Sequence, residues 1–211
     1  MTQQYFSPDP AAASQPTSYQ LSAEGRQFTF HSDRGVFSSR SLDFGSALLL
    51  KTVIKDLRDR RSPAAGSLLD LGCGIGVLGV TLKRLFPQLE LTLSDVNHRA
   101  LDLTRQNLAE NGIRYAEVVD SDGWQQLAGR RFDLIVTNPP IRAGKAVVYR
   151  FFDGAAAALN PGGTLYVVIG KKQGAPSAWR KLEETFAGCD LLAKQKGFYV
   201  FACRQAAEVP A

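Results

Sequence analysis

Two hydrophobic periodicities alternate along most of this chain. Short apolar runs that are typical of buried strands are mostly followed by segments whose apolar residues recur at helical spacing. The predicted strands cover 67–71, 89–94, 115–119, 132–137 and 164–169, and the predicted helices cover 77–86, 99–110, 147–159 and 177–186. Because strands that alternate with helices pair in parallel through right-handed crossovers, we expect a doubly wound, mostly parallel α/β sheet. Such sheets bind ligands beyond the carboxyl ends of their strands.

The end of the chain departs from this alternation. Residues 189–194 and 198–203 have the pattern of two strands joined at Gly197. They predict a C-terminal antiparallel hairpin, which brings the expected sheet to seven strands. The last residues, 206–211, are predicted to be flexible.

The beginning of the chain also differs from the rest. Residues 1–17 are rich in Pro, Ala, Ser and Gln, cannot bury much surface, and predict a flexible segment. In the extension over 18–62, two phenylalanines first alternate with polar residues as in a short strand. Apolar residues at helical spacing then predict a helix from Asp43 to Arg61. We expect one folded domain over 18–205, with the extension at its start.

The composition indicates a globular protein with a polyanionic partner. Hydrophobic residues make up 45 % of the 211 residues, which is enough to form a core. The formal net charge is +5, and a surplus of positive charge favours a partner such as nucleic acid. Simple solubility is the alternative explanation for that charge.

Counts of single residue types argue against several other classes. The three cysteines are widely spaced and odd in number, so we expect neither a zinc site nor a disulfide framework, but reduced thiols in the cytosol. With only two histidines, a His-rich metal site is not expected. No apolar run approaches the roughly 20 residues that span a bilayer, and no secretory pattern opens the chain. We expect a cytoplasmic protein without a metal site or a membrane partner.

A glycine-rich loop, Asp70-Leu71-Gly72-Cys73-Gly74-Ile75-Gly76, follows the first strand of the alternation. Glycine lets the backbone turn tightly and approach a ligand, and the free N–H groups of the next helix point to the same place. Dinucleotide loops have G-x-G-x-x-G, whereas this loop has G-x-G-x-G behind a carboxylate. That carboxylate would repel a pyrophosphate and attract the ammonium group of S-adenosylmethionine. A plain glycine turn with Asp70 as a cap is the alternative.

Acidic residues also end the next two predicted strands. Asp95, which precedes Val96, lies where an acidic residue commonly bonds the two hydroxyls of a ribose. Asp122 and Gly123 are candidates for bonding the amino group and the ring of an adenine. The alternatives are a helix cap at Asp95 or Asn97 and a simple surface turn in the later segment.

The segment Asn138-Pro139-Pro140 follows the fourth strand of the alternation. Two prolines fix φ and remove two backbone donors, which leaves a carbonyl before a proline and the Asn138 side-chain oxygen as acceptors. Two acceptors suit an exocyclic amino group, because holding both hydrogens turns the nitrogen lone pair towards an electrophilic methyl group. Positioning and electrostatics would then supply most of the catalysis. A rigid end to the strand is the alternative.

Together these motifs resemble class I S-adenosylmethionine-dependent methyltransferases that act on amino groups. Three further segments are similar to compact, single-domain members of the bacterial small-subunit ribosomal RNA guanine-N2 methyltransferases. They are Gly35-Val36-Phe37-Ser38, Leu42-Asp43-Phe44-Gly45-Ser46 and Asn138-Pro139-Pro140-Ile141-Arg142-Ala143-Gly144-Lys145. The resemblance covers roughly residues 19–204. It implies S-adenosylmethionine as cofactor, a guanine amino group as methyl acceptor, and ribosomal RNA or the 30S subunit as partner.

The motifs and the resemblance together assign roles to single residues. The segment around Phe37, Ser38 and Asp43 is implied to close over the cofactor, and Asn138, Pro139 and Pro140 form the catalytic loop. The residues assigned to the cofactor are Phe37, Asp70, Gly72, Cys73, Gly74, Gly76, Asp95, Val96, Asp122, Gly123 and Asn138.

Substrate contacts follow from the residues after the fourth and fifth strands. The residues assigned to the substrate are Ile141, Arg142, Lys145 and Lys171. The three basic residues among them suit RNA phosphates, with solvated loop charge as the alternative. Relatives that methylate adenine or glutamine usually carry Tyr or Phe at the Ile141 position, so Ile141 disfavours those substrates. Candidates for stacking on the base, each of which could equally belong to the core, are Phe37, Tyr149 and Phe151.

Other functions remain open at this point. A glutamine amide in a protein, or a small-molecule amine, could accept the methyl group instead. A nicotinamide-dependent oxidoreductase is disfavoured by the loop spacing and by Asp70. A catalytically silent RNA-binding module would bind the cofactor without transferring the methyl group. The sequence predicts neither the target nucleotide nor an oligomeric state.

Overall fold

The structure is a computed structural model that describes residues 7–37, 40–60 and 64–207. Its strands are β1 (Thr17–Ala23), β2 (Arg26–Ser32), β3 (Gly66–Leu71), β4 (Leu89–Asp95), β5 (Glu117–Asp120), β6 (Phe132–Thr137), β7 (Leu159–Gly170), β8 (Gly188–Gln195) and β9 (Phe198–Arg204). Its helices are α1 (Phe44–Asp59), α2 (Val77–Leu85), α3 (His98–Glu110), α4 (Lys145–Ala158) and α5 (Ala175–Thr185). Short 3₁₀ turns cover Gln125–Leu127, Ile141–Ala143 and Lys171–Gln173.

Seven of these strands form one sheet in the order β5-β4-β3-β6-β7-β9-β8. Strands β3 to β7 pair in parallel, whereas β9 is antiparallel to both β7 and β8. The chain moves outward from β3 to β5 on one side and from β6 on the other. The switch point, where open α/β sheets bind their ligands, therefore lies between β3 and β6. The predicted doubly wound fold with a C-terminal antiparallel hairpin is confirmed.

Hydrophobic layers cover both faces of the sheet. Helices α1, α2 and α3 pack on one face, and α4 and α5 pack on the other. Neighbouring residues of β3 serve both layers, since Leu68 belongs to the first and Leu69 to the second. This follows from the alternation of side chains along a strand. Among the described helices, none is long and apolar enough to cross a membrane.

Strands β1 and β2 form a separate hairpin that docks on α3 through two asparagines. Asn107 accepts from His31 N at 2.7 Å and donates to His31 O at 3.0 Å. Asn111, one helical turn later, accepts from Thr29 N at 3.2 Å and donates to Thr29 O at 2.8 Å. The two amides therefore occupy the place of a neighbouring strand along β2. Asn107 also donates to Ile75 O at 2.9 Å, which ties the hairpin to the glycine loop.

We expect Asn107→Ala to lower the free energy of unfolding by about 3 kcal/mol. The substitution removes three hydrogen bonds of a fully buried amide and leaves the backbone of His31 and Ile75 without these partners. Urea unfolding followed by circular dichroism measures the change. The exposed Gln106 on the same helix supplies the control, since Gln106→Ala should change stability by less than about 0.5 kcal/mol. Equal stability of the two variants would contradict this role of Asn107.

Residues before β1 contact the N-terminal end of α3. Pro8 O accepts from His98 N at 2.9 Å, and Ala12 O accepts from Arg99 Nη1 at 2.9 Å. Ser14 Oγ donates to Asp33 Oδ2 at 2.6 Å. The prediction that residues 1–17 form a flexible segment did not anticipate these contacts.

The expectation of reduced cysteines is wrong for one pair. Cys189 on β8 and Cys203 on β9 are joined by a disulfide. The hairpin register shifts by one residue between Leu191 and Ala193, and the shifted register sets the two cysteines opposite each other. The pairing of the two cysteines depends on this register shift, which their wide spacing in the sequence does not reveal. Among the described residues, Cys73 has a free thiol.

Candidate active site

A cavity of about 840 Å³ opens at the switch point, beyond the carboxyl ends of β3, β4, β5 and β6. The predicted site residues that line it are Phe37, Gly72, Cys73, Gly74, Asp95, Val96, Asp122, Gly123, Asn138, Pro139, Pro140, Ile141 and Arg142. Four other predicted residues, Asp70, Gly76, Lys145 and Lys171, are not part of its lining. Ser38 lies outside the described residues. Residues that are distant in sequence thus meet because parallel strands end at one edge of the sheet.

The glycine loop presents bare backbone to this cavity. Gly72 and Gly74 have φ values of 69° and 55°, in the left-handed region that favours glycine. A Cβ at Gly74 would meet no atom within 4 Å, so the backbone there borders open space. Beneath the loop, the buried Phe151 ring lies 3.5 Å from a Cβ built on Gly72 and 3.6 Å from one built on Gly123. Phe151 therefore packs under the glycine loop and under the loop after β5.

The Asp95 carboxylate ties the end of β4 to the glycine loop. Its Oδ2 accepts from Gly74 N at 2.8 Å, and its Oδ1 accepts from Asn97 N at 2.9 Å. Burial raises the pKa of this carboxyl group above its usual range. The cap of α3 is Asn97, whose Oδ1 accepts from Ala100 N at 3.0 Å. Asp95 also lines the cavity, so its carboxylate borders the space that a ligand would occupy.

Asp70 lies beneath the loop instead of in the cavity. Its side chain is fully buried, and its Oδ2 accepts from Gly79 N, inside α2, at 2.8 Å. Its Oδ1 has no hydrogen-bond partner among the residues that the structure describes. Burial raises the pKa of Asp70 to about 7. The carboxylate can act on a bound cation only through space from this position.

This raised pKa makes stability depend on pH. Between about pH 4 and pH 7, the folded protein keeps a proton on Asp70 that the unfolded chain releases. Stability therefore falls as the pH rises through this window, by roughly 4 kcal/mol from Asp70 alone. We expect Asp70→Asn, which can still accept from Gly79 N, to lose this part of the dependence. Urea unfolding of both proteins at pH 4 and pH 8 measures it, and an equal pH dependence in the two would exclude the assignment.

Asn138 is held by a serine of the first helix. Its Nδ2 donates to Ser46 Oγ at 2.9 Å, and Ser46 is itself buried in the first turn of α1, where its N–H donates to the capping Asp43 at 3.1 Å. The amide nitrogen is engaged in this way, whereas Asn138 Oδ1 has no hydrogen-bond partner among the described residues. Pro139 O accepts from Ile141 N at 2.8 Å, in a tight turn around Pro140, and retains its second lone pair.

Several cavity residues were not predicted from the sequence. Among them are Ser46, Arg150, Gln173 and Phe198. Ser46 lies in a segment that supported the family resemblance, but no local signal assigned it a partner. Phe198 begins β9, and only the antiparallel return of that strand brings it to the cavity. Of the aromatic residues proposed to stack on a base, Phe37 and Phe151 line the cavity, whereas Tyr149 donates its hydroxyl to Ser177 O at 2.9 Å outside it.

The fold and the place of this cavity define a class I methyltransferase, a group that takes its methyl group from S-adenosylmethionine. The chain belongs to the methyltransferase small domain family, whose model matches residues 27–202. This confirms the resemblance and the class of enzyme that the sequence predicted.

Curated relatives fall into two length classes. Uncharacterized protein YbxB of Bacillus subtilis (strain 168) is 38 % identical over 206 residues, which cover 97 % of this chain and 100 % of that protein. Ribosomal RNA small subunit methyltransferase C of Pasteurella multocida (strain Pm70) is 39 % identical over 174 residues, or 81 % of this chain and 49 % of that protein. The chain thus spans about half the length of the methyltransferase C relatives that it matches.

Solved structures agree with this family. The 16S rRNA N2 G1207 methyltransferase of T. thermophilus, in complex with AdoMet and guanosine, superimposes with a TM-score of 0.79 and 30 % identity. The match covers 90 % of this chain and 50 % of that one. A ribosomal protein L11 methylase from Lactobacillus delbrueckii subsp. bulgaricus has a TM-score of 0.65 at 20 % identity, covering 77 % of this chain and 80 % of that one, and shares the fold.

Proposed function

We propose that this protein transfers the methyl group of S-adenosylmethionine to the exocyclic N2 amino group of a guanine in small-subunit ribosomal RNA. The observation that carries the proposal is the Asn138 loop at the cavity wall. There Ser46 holds the amide nitrogen and leaves Asn138 Oδ1 as an acceptor, beside the carbonyl of Pro139. The relatives named above, which include an enzyme that methylates guanine N2, support the same substrate.

The cavity residues fit S-adenosylmethionine. Gly74 borders open space in which a side chain would stand, so a ligand can reach its backbone. Asp95 offers two carboxylate oxygens to the hydroxyls of a ribose, and Asp122 with Gly123 line the wall beyond β5, where an adenine would lie. Phe151 packs beneath both loops and supports that wall. When bound, the cofactor supplies an electrophilic methyl group on a positively charged sulfur.

The residues of the catalytic loop orient the amino group. Asn138 Oδ1 and the carbonyl of Pro139 each accept one hydrogen of the –NH₂, which removes its freedom to rotate and aims the nitrogen lone pair. Electrostatics help, because both acceptors stabilise the positive charge that develops on nitrogen during methyl transfer. The nitrogen becomes acidic as it gains the methyl group, so it loses a proton without a strong base. The residue after Pro140 is Ile141, whereas relatives that methylate adenine usually have an aromatic ring at this position.

Basic residues near the cavity suit a ribosomal RNA substrate. Arg142 lines the cavity, and Lys145 and Lys171 stand at the starts of α4 and of the 3₁₀ turn after β7. The formal net charge of +5 adds long-range attraction to a polyanion. A ribosomal RNA or 30S substrate also agrees with the expected cytoplasmic location.

Identification of the methylated product tests this proposal. The protein is incubated with methyl-labelled S-adenosylmethionine and, separately, with free 16S rRNA, 30S particles and 30S proteins. Nucleosides from digested RNA are then analysed by mass spectrometry. The proposal predicts N2-methylguanosine in RNA or in the particle. Label in a protein, or in RNA on an adenine, would overturn it.

A further inference from the structure

Four exposed lysines lie on two elements that are far apart in sequence. Lys171 and Lys172 belong to the 3₁₀ turn after β7, and Lys194 and Lys196 lie at the end of β8 and in the turn that leads to β9. We call these four residues the hairpin patch. Its position and its unpaired charge indicate a ligand.

A backbone hydrogen bond joins the two elements. Lys171 N donates to Gly197 O at 2.6 Å, so the 3₁₀ turn rests against the tip of the β8–β9 hairpin. Lys196 and Gly197 form that tip with φ values of 47° and 79°. Positive φ at both positions is the requirement of a tight type I′ hairpin turn. The lysines of both elements therefore stand at one corner of the molecule.

That corner borders the cavity. Gln173 directly follows Lys172 and lines the cavity, and Phe198 lines it two residues after Lys196. The Phe198 ring packs on the Phe44 ring, with centroids 5.7 Å apart, at the start of the helix that carries Ser46. The hairpin patch thus adjoins the side of the cavity on which Asn138 lies.

The patch carries four positive charges that no described carboxylate neutralises. None of its lysines forms an ion pair with a residue in the described ranges, in contrast to Lys181, which pairs with Asp153 at 2.6 Å. Lys194 Nζ lies 5.2 Å from the centre of the Tyr199 ring, and Lys196 Nζ lies 5.0 Å from that of Phe44. These rings restrict both lysines and leave their ammonium hydrogens available to an anion.

We propose that the hairpin patch binds the phosphate backbone of the RNA strand that carries the target base. This inference rests on the proposed function, because it takes RNA as the substrate. A single strand that inserts one base into the cavity must run its adjoining phosphates over the rim, where the patch lies. Lysines beside aromatic rings are also the combination that single-stranded nucleic acids bind. An anionic membrane or an acidic protein would need neither feature beside a nucleoside-sized cavity.

The salt dependence of RNA binding tests the patch. The double variant Lys194→Gln/Lys196→Gln is compared with wild type by fluorescence anisotropy of a labelled single-stranded RNA fragment of 16S rRNA, over a range of salt concentrations. Losing two phosphate contacts should reduce the slope of log affinity against log salt by about 1.4, since each contact to a single strand contributes about 0.7. Lys171→Gln/Lys172→Gln should give the same change from the other element.

The matched control removes the same charge elsewhere. Lys51→Gln/Lys55→Gln alters two exposed lysines of α1, of which Lys55 pairs with the exposed Asp59 at 3.6 Å, and should leave the slope at the wild-type value. Equal slopes for all three double variants would overturn the proposal that the hairpin patch binds RNA, even if the wild-type protein methylates guanine. A reduced slope for both patch variants would support it, even if wild type transferred no methyl group to RNA and the proposed function failed. Binding of S-adenosylmethionine should be unchanged in every variant.

Discussion

Asn138→Ala should lower the rate of methyl transfer by about 100-fold or more, which is the loss that follows removal of one positioned polar group at a reacting centre. The substitution deletes the side-chain acceptor for the amino group and leaves the carbonyl of Pro139 alone to orient it. The affinity for S-adenosylmethionine should change by less than about threefold, because transition-state positioning is what the residue supplies. Single-turnover transfer and isothermal titration calorimetry measure the two quantities separately.

Ser46→Ala provides a graded comparison for this result. The variant keeps Asn138 but removes the acceptor that holds its Nδ2 at 2.9 Å, so the amide can rotate out of position. We expect a loss of about tenfold in transfer rate, smaller than for the deleted side chain. Ser46→Thr, which keeps the hydroxyl, should recover part of it. If the Asn138→Ala variant transferred the methyl group at the wild-type rate, the assignment of a catalytic role to this loop would be wrong.

Asp95→Ala should weaken the binding of S-adenosylmethionine by about 100-fold, or roughly 2.7 kcal/mol. The carboxylate offers acceptors for two ribose hydroxyls, and hydrogen bonds to a charged group contribute more than neutral ones. Its removal also leaves Gly74 N and Asn97 N without their partner, which loosens the loop that contacts the ligand. Calorimetric titration with S-adenosylmethionine and S-adenosylhomocysteine gives the two affinities, which should fall together.

Asp102 supplies the control for the loss of one carboxylate. It is exposed on α3 and pairs there with Arg105 at 3.0 Å, away from the cavity. Asp102→Ala should bind the cofactor as wild type does. A thermal melt shows whether Asp95→Ala remains folded at the temperature of titration. A folded Asp95→Ala protein with unchanged affinity would exclude Asp95 as a ribose ligand.

Most of the fold follows from local pattern. The apolar run 132–137 coincides with β6, because a central parallel strand is buried on both faces and needs apolar residues throughout. The helix predicted from Asp43 begins at Phe44, with Asp43 as its cap. The start of β7 was less well predicted. The predicted helix ends at residue 159 and the predicted strand begins at residue 164, whereas β7 already starts at Leu159.

The candidate site was predictable to the extent that topology alone sets it. The carboxyl ends of parallel strands lie at one edge of a sheet, so the sequence alone predicts that Asp95 and Asn138 lie near the same site. Contacts between elements that are distant in sequence could not be predicted. Asn107 of α3 takes the place of a neighbouring strand beside β2, and Ser46 of α1 holds Asn138 in the loop after β6. The residues of these two contacts are 76 and 92 positions apart in sequence. No local period or motif encodes such pairs, because tertiary packing determines them.

The central claim is that Asn138 and the carbonyl of Pro139 hold the amino group of the substrate. A crystal structure of the protein with S-adenosylhomocysteine and guanosine tests it most directly. We predict guanine N2 within about 3.2 Å of Asn138 Oδ1, with Nδ2 still bonded to Ser46 and the sulfur facing N2. A guanine bound elsewhere, or an Asn138 side chain turned away from the base, would contradict the claim.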